Sequence, residues 1–241
     1  MKILRYILNF FLSLNTTLWF LGLLLILFFA GAFIMPGNRA FQQLHSIPLF
    51  DWIRKQPVKD IWWLLGIIGV LAVIAVNTIF CSVDSIIRKR KVTHWLLLIA
   101  PQIIHTGFIF MLLAHLLSAF GAYQKTAEVR AGTVLKISEG TFLIVDDIDI
   151  NVDYYGYITA WTVDVTYTKD NQVLQTNSIM PNKPSVFQGF NINVKNIRPD
   201  PDKAALLQMN REPGAFWALT GGILFIIGIV ILIVLKRKID K

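Results

Sequence analysis

Residues 95–120 read WLLLIAPQIIHTGFIFMLLAHLLSAF. The run holds no Asp, Glu, Lys or Arg, and it exceeds the roughly 20 apolar residues that cross a bilayer as a helix. His105 lies ten residues in from Trp95, which at about 1.5 Å per residue puts it roughly 15 Å deep, near the midplane. An ionisable side chain at that depth is costly, and it faces a partner, a cofactor or a cavity. His105 is therefore the leading candidate functional residue.

Working outward, three more stretches are long and apolar enough to span: Thr17–Met35, Ile61–Cys81 and Ala215–Leu235. The chain has 241 residues, 55% of them hydrophobic, which is too apolar for an ordinary soluble domain. The first run continues to Ile34 and ends at IMPGNRAF with no small-x-small cleavage site, so it is expected to persist as a helix rather than be removed as a signal. The expected fold class is an integral membrane α-helical protein of four spans, with a small extracytoplasmic all-β domain between spans three and four. The expected divisions are residues 1–16 as an N-terminal segment, 17–118 as three spans with short loops, 119–214 as the β domain, and 215–241 as span four with a basic tail. Lys2 and Arg5 on the apolar 1–16 segment fit either a short interfacial helix or a simple extension of span one.

The net charge of +8 is not evenly spread. Lys2, Arg5, Arg88, Lys89, Arg90, Lys91, Lys236, Arg237, Lys238 and Lys241 flank one side of the spans, against Asp84 and Asp240. The 121–214 region holds nine Lys/Arg and eleven Asp/Glu. This asymmetry follows the positive-inside rule, so both termini and the 84–94 loop are expected in the cytoplasm, with the β domain periplasmic or extracellular. The basic balance thus reads as a lipid-bilayer signature, and no nucleic acid is expected as a partner.

The 36–60 loop opens with a Pro36–Gly37–Asn38 turn signal. Its FQQLHSIPLFDWIR segment (41–54) reads as lying on the outer membrane surface, with His45 as an interfacial histidine. Asn77, Cys81 and Asp84 share a helix face at the inner end of span two, a stripe suited to contacting another helix. Cys81 is the single cysteine, and no basic or histidine partner stands at nucleophile spacing. In span three, Pro101 frees a carbonyl one turn back, and Gln102 falls on nearly the same face as His105. His115 lies about 15 Å further along the helix and about 80° around it, too far to share one metal with His105.

The 121–214 region alternates as strands do: Thr133–Ile137, Thr141–Ile150 continuing through DINVDYY, Ala160–Thr168, Val173–Met180, Phe187–Arg198 and Ala204–Asn210. Lys169–Asp170–Asn171–Gln172 reads as a hairpin turn. Six or seven antiparallel strands, as a small sandwich or open barrel, are expected. Asp147, Asp149, Asn151 and Asp153 alternate along one strand face and lack the glycine and glutamate of a calcium loop, so they read as a solvated ridge. The region holds no histidine and no cysteine, which leaves it no nucleophile–base set for a stand-alone enzyme.

Several segments, in this order, resemble the ResB (CcsB) family of System II cytochrome c biogenesis. They are LNTTLWFLGLLLILFFAGAF, NTIFCSVDSIIRKRK, IIHTGFIFMLLAHLLSAFGAYQKTAEVRAGT, IMPNKPSVFQGFNINVKNI and REPGAFWALTGGILFIIGIVIL. Together they span nearly the whole chain, as a compact member with a smaller outer domain than many. The resemblance implies a bacterial cytoplasmic-membrane subunit that works with a ResC/CcsA-type multispan partner carrying a tryptophan-rich WWD loop. It implies a non-catalytic or accessory part in delivering haem across the membrane for attachment to apocytochrome c. Trp62–Trp63 does not match the WWD pattern, and there is no C-x-x-C-H. By its place in H-x-G-F, His105 is implied as an axial ligand of a transient haem b shared with the partner. His115 is the weaker candidate, and Gln102 a possible supporting contact to His105. The alternative is a non-haem membrane subunit that scaffolds a respiratory or secretion complex through its β domain.

Overall fold

The computed structural model describes residues 10–44, 46–88, 95–199 and 201–239. Lys2 and Arg5 of the N-terminal segment, His45, the basic residues 89–91, and Asp240 and Lys241 lie outside the described residues. The chain divides into two compact units, residues 1–122 with 213–241, and residues 123–212.

The first unit is helical: α1 (Leu14–Gly37), a 3-10 turn (Arg39–Gln43), α2 (Leu49–Ile53), α3 (Val58–Arg88), α4 (Trp95–Gly121) and α5 (Ala215–Ile239). Four of these helices, α1, α3, α4 and α5, are long and apolar enough to cross a membrane. Their outward faces carry large apolar side chains, Trp19 and Phe33 on α1 among the most exposed. Pro36 and Gly37 close α1. The Asn38 side chain then accepts from the Ala40 amide at 3.0 Å and starts the 3-10 turn.

Among the described residues of the 38–57 segment, aromatic side chains turn against the helices. Trp52 is fully buried, donates its indole N–H to the Ala40 carbonyl at 3.0 Å, and packs with Phe41 and Trp63. Phe41 and Trp52 thus close over the α1–α3 pair, while Phe50 meets Phe120 of α4 with ring centres 4.4 Å apart. The Trp63 ring lies directly on Gly31 of α1, where no side chain could stand.

Helices α4 and α5 meet along a seam of small residues. Gly107 stands opposite Gly221, Ala114 opposite Gly214, and Ala100 opposite Gly228, an antiparallel register repeating every seven residues. A Cβ on Gly107 would fall 2.6 Å from the Gly221 carbonyl oxygen, and one on Gly221 would fall 2.6 Å from that of Gly107. Small residues at such a seam let backbones approach closely.

The second unit is a sandwich that has, among the described residues, eight strands in two antiparallel sheets: β1 (Tyr123–Val129), β2 (Val134–Ser138), β3 (Thr141–Val152), β4 (Ile158–Lys169), β5 (Gln172–Ile179), β6 (Ser185–Phe187), β7 (Phe190–Arg198) and β8 (Ala204–Arg211). The sheet orders are β1-β8-β7-β6 and β2-β3-β4-β5. Val129, Leu143, Val145, Ile148, Val163, Val165, Ile192 and Leu207 fill the shared core. The strand count exceeds the expected six or seven for two reasons. β1 is polar along most of its length, so its sequence gives no apolar alternation. And the segment 187–198, read as one strand, is split by a two-residue turn at Gln188–Gly189, both with positive φ. The expected hairpin at Asp170–Asn171 forms, with Lys169 paired to Gln172.

Candidate functional site

His105 is the eleventh residue of α4, whose helix runs unbroken through Pro101. The apolar stretch of this helix is Leu98–Gly121, so His105 stands about 7 Å from its centre on the N-terminal side. The Gly107 seam fixes how α4 is turned. His105 is two residues away, about 160° around the axis from the face that meets α5. It therefore points toward α3, and there its Nδ1 lies 2.8 Å from the Ser82 hydroxyl. The side chain is half-buried.

That hydrogen bond has two forms. Either the Ser82 O–H donates to Nδ1 and the ring proton sits on Nε2, or Nδ1–H donates to the serine oxygen and Nε2 presents a lone pair. Only the second form can ligate a metal through Nε2. Ser82 is thus the functional neighbour that sequence reading missed. The signal was faint: a serine one residue after Cys81, on a different face from the Asn77–Cys81 stripe.

Gln102 sits one turn before His105 and near the same face. Both of its amide atoms are buried without a hydrogen-bond partner; Trp63 Nε1 and Asn193 Oδ1 share that condition among the described residues. The Gln102 backbone carbonyl accepts from the Thr106 hydroxyl at 2.8 Å. His115 is exposed on α4, and the structure does not bring it together with His105.

The neighbouring polar groups of α3 turn the other way. Asn77 accepts from the Thr17 hydroxyl at 3.0 Å and donates to the Phe11 carbonyl. The Cys81 thiol lies 3.6 Å from the same Phe11 carbonyl. Thr78 bonds back to its own helix at Ile74. The Asn77–Cys81 stripe of α3 therefore contacts another segment, as its spacing predicted, and the thiol is part of that packing. Among the described residues, no group of three or more His, Cys, Asp or Glu is arranged to hold a metal ion.

The chain matches no family model and no curated protein. Among solved structures it is similar to a protein described as Cytochrome c Heme Lyase CcmF, at 12% identity and a TM-score of 0.45. The similarity covers 76% of this chain and 32% of that one, so the chain spans about a third of the lyase's length.

Proposed function

We propose that this chain is a membrane subunit of a ResB-type complex that delivers haem to apocytochrome c, with His105 as one axial ligand. One observation carries the reading: an imidazole inside an apolar helix, held through Nδ1 by Ser82, with no partner for Nε2 among the described residues. Among the described residues the site offers one imidazole and no cluster of three or more ligands, which would suit a haem ligand shared with another chain better than an all-protein metal site. A second ligand then belongs to another chain, the ResC/CcsA-type partner.

When bound, haem b would supply an iron centre that accepts the imidazole, and vinyl groups for joining to apocytochrome thiols. The residues of this chain do the holding. Ser82 accepts from Nδ1–H and leaves the Nε2 lone pair free to ligate. Gln102 adds an amide one turn away. In this reading the basic flanks are cytoplasmic, the sandwich lies on the far side of the bacterial cytoplasmic membrane, and His115 has no ligand role.

The test is the absorbance spectrum of the chain co-purified with a WWD-type partner. We expect haem in the wild type, loss of the haem band in His105→Ala with the complex intact, and restoration by added imidazole. Equal haem and an unchanged spectrum in His105→Ala would overturn the ligand role. For sidedness, a reporter fused after Lys125 reads external and one after Arg90 cytoplasmic; the reverse result refutes the orientation.

One observation favours a second reading, a haem-free membrane scaffold: the Ser82 bond already satisfies one nitrogen of His105 within the chain. A haem-free complex that keeps its stoichiometry and loses stability in His105→Ala would select it.

A further inference from the structure

Among the described residues the sandwich has four edge strands, β1 and β6 in one sheet and β2 and β5 in the other. A bare edge presents a row of unpaired N–H and C=O groups, and native sheets blunt it with charge, brevity or a bulge. Three of the four edges are blunted throughout. β1 carries the exposed Lys125 and Glu128, β2 carries the exposed Lys136 with a register shift beside it, and β6 is three residues long. β5 (QVLQTNSI) has eight residues, with no charge, no proline and no glycine. A bulge at Leu174 disturbs its first half, but residues 175–179 stay in unbroken register with 163–167 of β4.

That regular half opens into a groove. A cavity of about 610 Å³ is lined by Thr176, Asn177 and Ser178 of β5 and by Met180, Lys183 and Pro184 of the turn that follows. The groove is held in shape from within the unit. The Asn177 amide donates to Ser185 Oγ at 2.7 Å, and the Tyr167 hydroxyl bonds the same oxygen at 2.6 Å. Met180 and Lys183 exchange backbone hydrogen bonds at 3.2 and 3.0 Å. A pre-formed slot lowers the ordering cost of filling it, and a row of edge amides and carbonyls is met by another extended backbone.

Strand direction disfavours a second copy of this chain as the source of that backbone. The chain enters the sandwich at Tyr123 and leaves at Arg211, and those two residues are paired. Lys203, before the other end of β8, is ion-paired with Asp149 at 3.6 Å. The Thr141 end of β3, and with it the start of β5 at Gln172, therefore lies toward the entry end. A ladder between two β5 strands related by a two-fold axis is antiparallel, so it would set the entry end of one sandwich at the far end of the other. Yet each entry end joins apolar helices through Ala122 alone and through residues 212–214, and two such chains share one bilayer.

We infer that residues 175–179 of β5 are a β-augmentation site, at which an uncharged extended segment of a partner protein adds as a fifth strand of the β2-β3-β4-β5 sheet. Recognition is through the main chain. The inference does not depend on haem binding by His105.

The test uses the full chain in detergent micelles and, as probe, a capped eight-residue peptide of alternating Thr and Val. Binding is expected, with slowed hydrogen exchange at the amides of 175–179. Methylating every second peptide nitrogen leaves one edge of the probe free and should retain binding, whereas methylating every nitrogen should weaken it about tenfold or more. Thr176 and Asn177 are successive, so one of their amides faces the open side. Thr176→Pro and Asn177→Pro are therefore both made; the one that lacks only the outward donor keeps the fold and should bind about threefold or more weaker. If neither folds, the exchange pattern of the wild type decides. No binding, equal affinity for the fully methylated probe, or protection at β1 or β2 in place of β5 overturns the inference. So does a dimer whose β5 amides are already protected without peptide.

Discussion

The contact between α4 and α5 allows a sharp test, because the same substitution can be made inside and outside the seam. A Cβ at Gly107 would stand 2.6 Å from the Gly221 carbonyl oxygen and 2.7 Å from the Phe225 amide nitrogen. Ordinary contact begins at 3.4 Å, so Gly107→Ala drives the two backbones apart by about 0.8 Å. A gap of that size forfeits a quarter to a half of each dispersion contact along the seam, and over-packing of this kind costs about 1–3 kcal/mol. Gly222, one residue from the seam on α5, has nothing within 4 Å of a Cβ. Gly222→Ala meets no such obstacle and gains about 1 kcal/mol of helix propensity, a gain that Gly107→Ala shares. The difference between the two variants is therefore about 1–3 kcal/mol, with Gly107→Ala the less stable. It would be read from reversible unfolding of the full chain in mixed micelles, following helical circular dichroism. Equal stability of the two variants would refute the close approach of α4 and α5, and with it the argument for which way His105 faces.

Other consequences follow from single side chains. Asn77→Leu removes both the acceptor for Thr17 and the donor to the Phe11 carbonyl, and it should cost about 1–2 kcal/mol in the same unfolding assay. An unchanged midpoint would show that the bridge contributes nothing. In the sandwich, Tyr167→Phe deletes the hydroxyl paired with Ser185 at 2.6 Å and should cost about 1 kcal/mol near neutral pH, measured by strand hydrogen exchange in the full chain. Burial raises the Tyr167 pKa above the usual 10.0, with the Ser185 bond opposing. The raised folded value means that its contribution is fully present below about pH 10 and is lost as pH climbs through the folded pKa. Wild type should therefore lose stability above pH 10 more steeply than Tyr167→Phe; parallel curves would count against a buried hydroxyl.

Much of this architecture is legible in the sequence, because apolar length and strand alternation are strong signals. The four long helices and the strands β2 to β5 and β8 are visible in this way. The phase change on β3 is visible too. Leu143 and Val145 point inward at odd positions, and Ile148 at an even one. The structure accounts for it with a bulge that leaves Asp146 unpaired and bonded to Thr166. What stayed hidden depends on partners distant in the chain. β1 is held by its pairing with β8 and not by an apolar pattern of its own. Trp52 looks interfacial until its N–H finds the Ala40 carbonyl. The seven-residue spacing of Ala100, Gly107 and Ala114, and of Gly214, Gly221 and Gly228, is written in the sequence, but only the antiparallel register shows that the two sets face each other. His105 stood out by depth alone, whereas Ser82 needed the α3–α4 contact.

Two sets of polar groups in the second half of α3 differ in how far they are completed. On the side facing the 11–17 segment, Asn77 uses its carbonyl and its amide, and the Cys81 thiol lies against the same Phe11 carbonyl. That side is closed by groups of this chain. On the side facing α4, Ser82 meets one nitrogen of His105, and one turn away the Gln102 amide is buried with no partner for either atom. Leaving such a group unsatisfied costs about 1–3 kcal/mol per missing partner, and native proteins seldom carry that cost without a reason. The unbalanced side is the one that carries the histidine. This asymmetry favours a site completed by something beyond this chain over a scaffold complete in itself, and it makes Gln102→Leu the informative companion to His105→Ala. The leucine should stabilise the chain alone if the amide is idle, and should weaken the assembled complex if the amide serves the site.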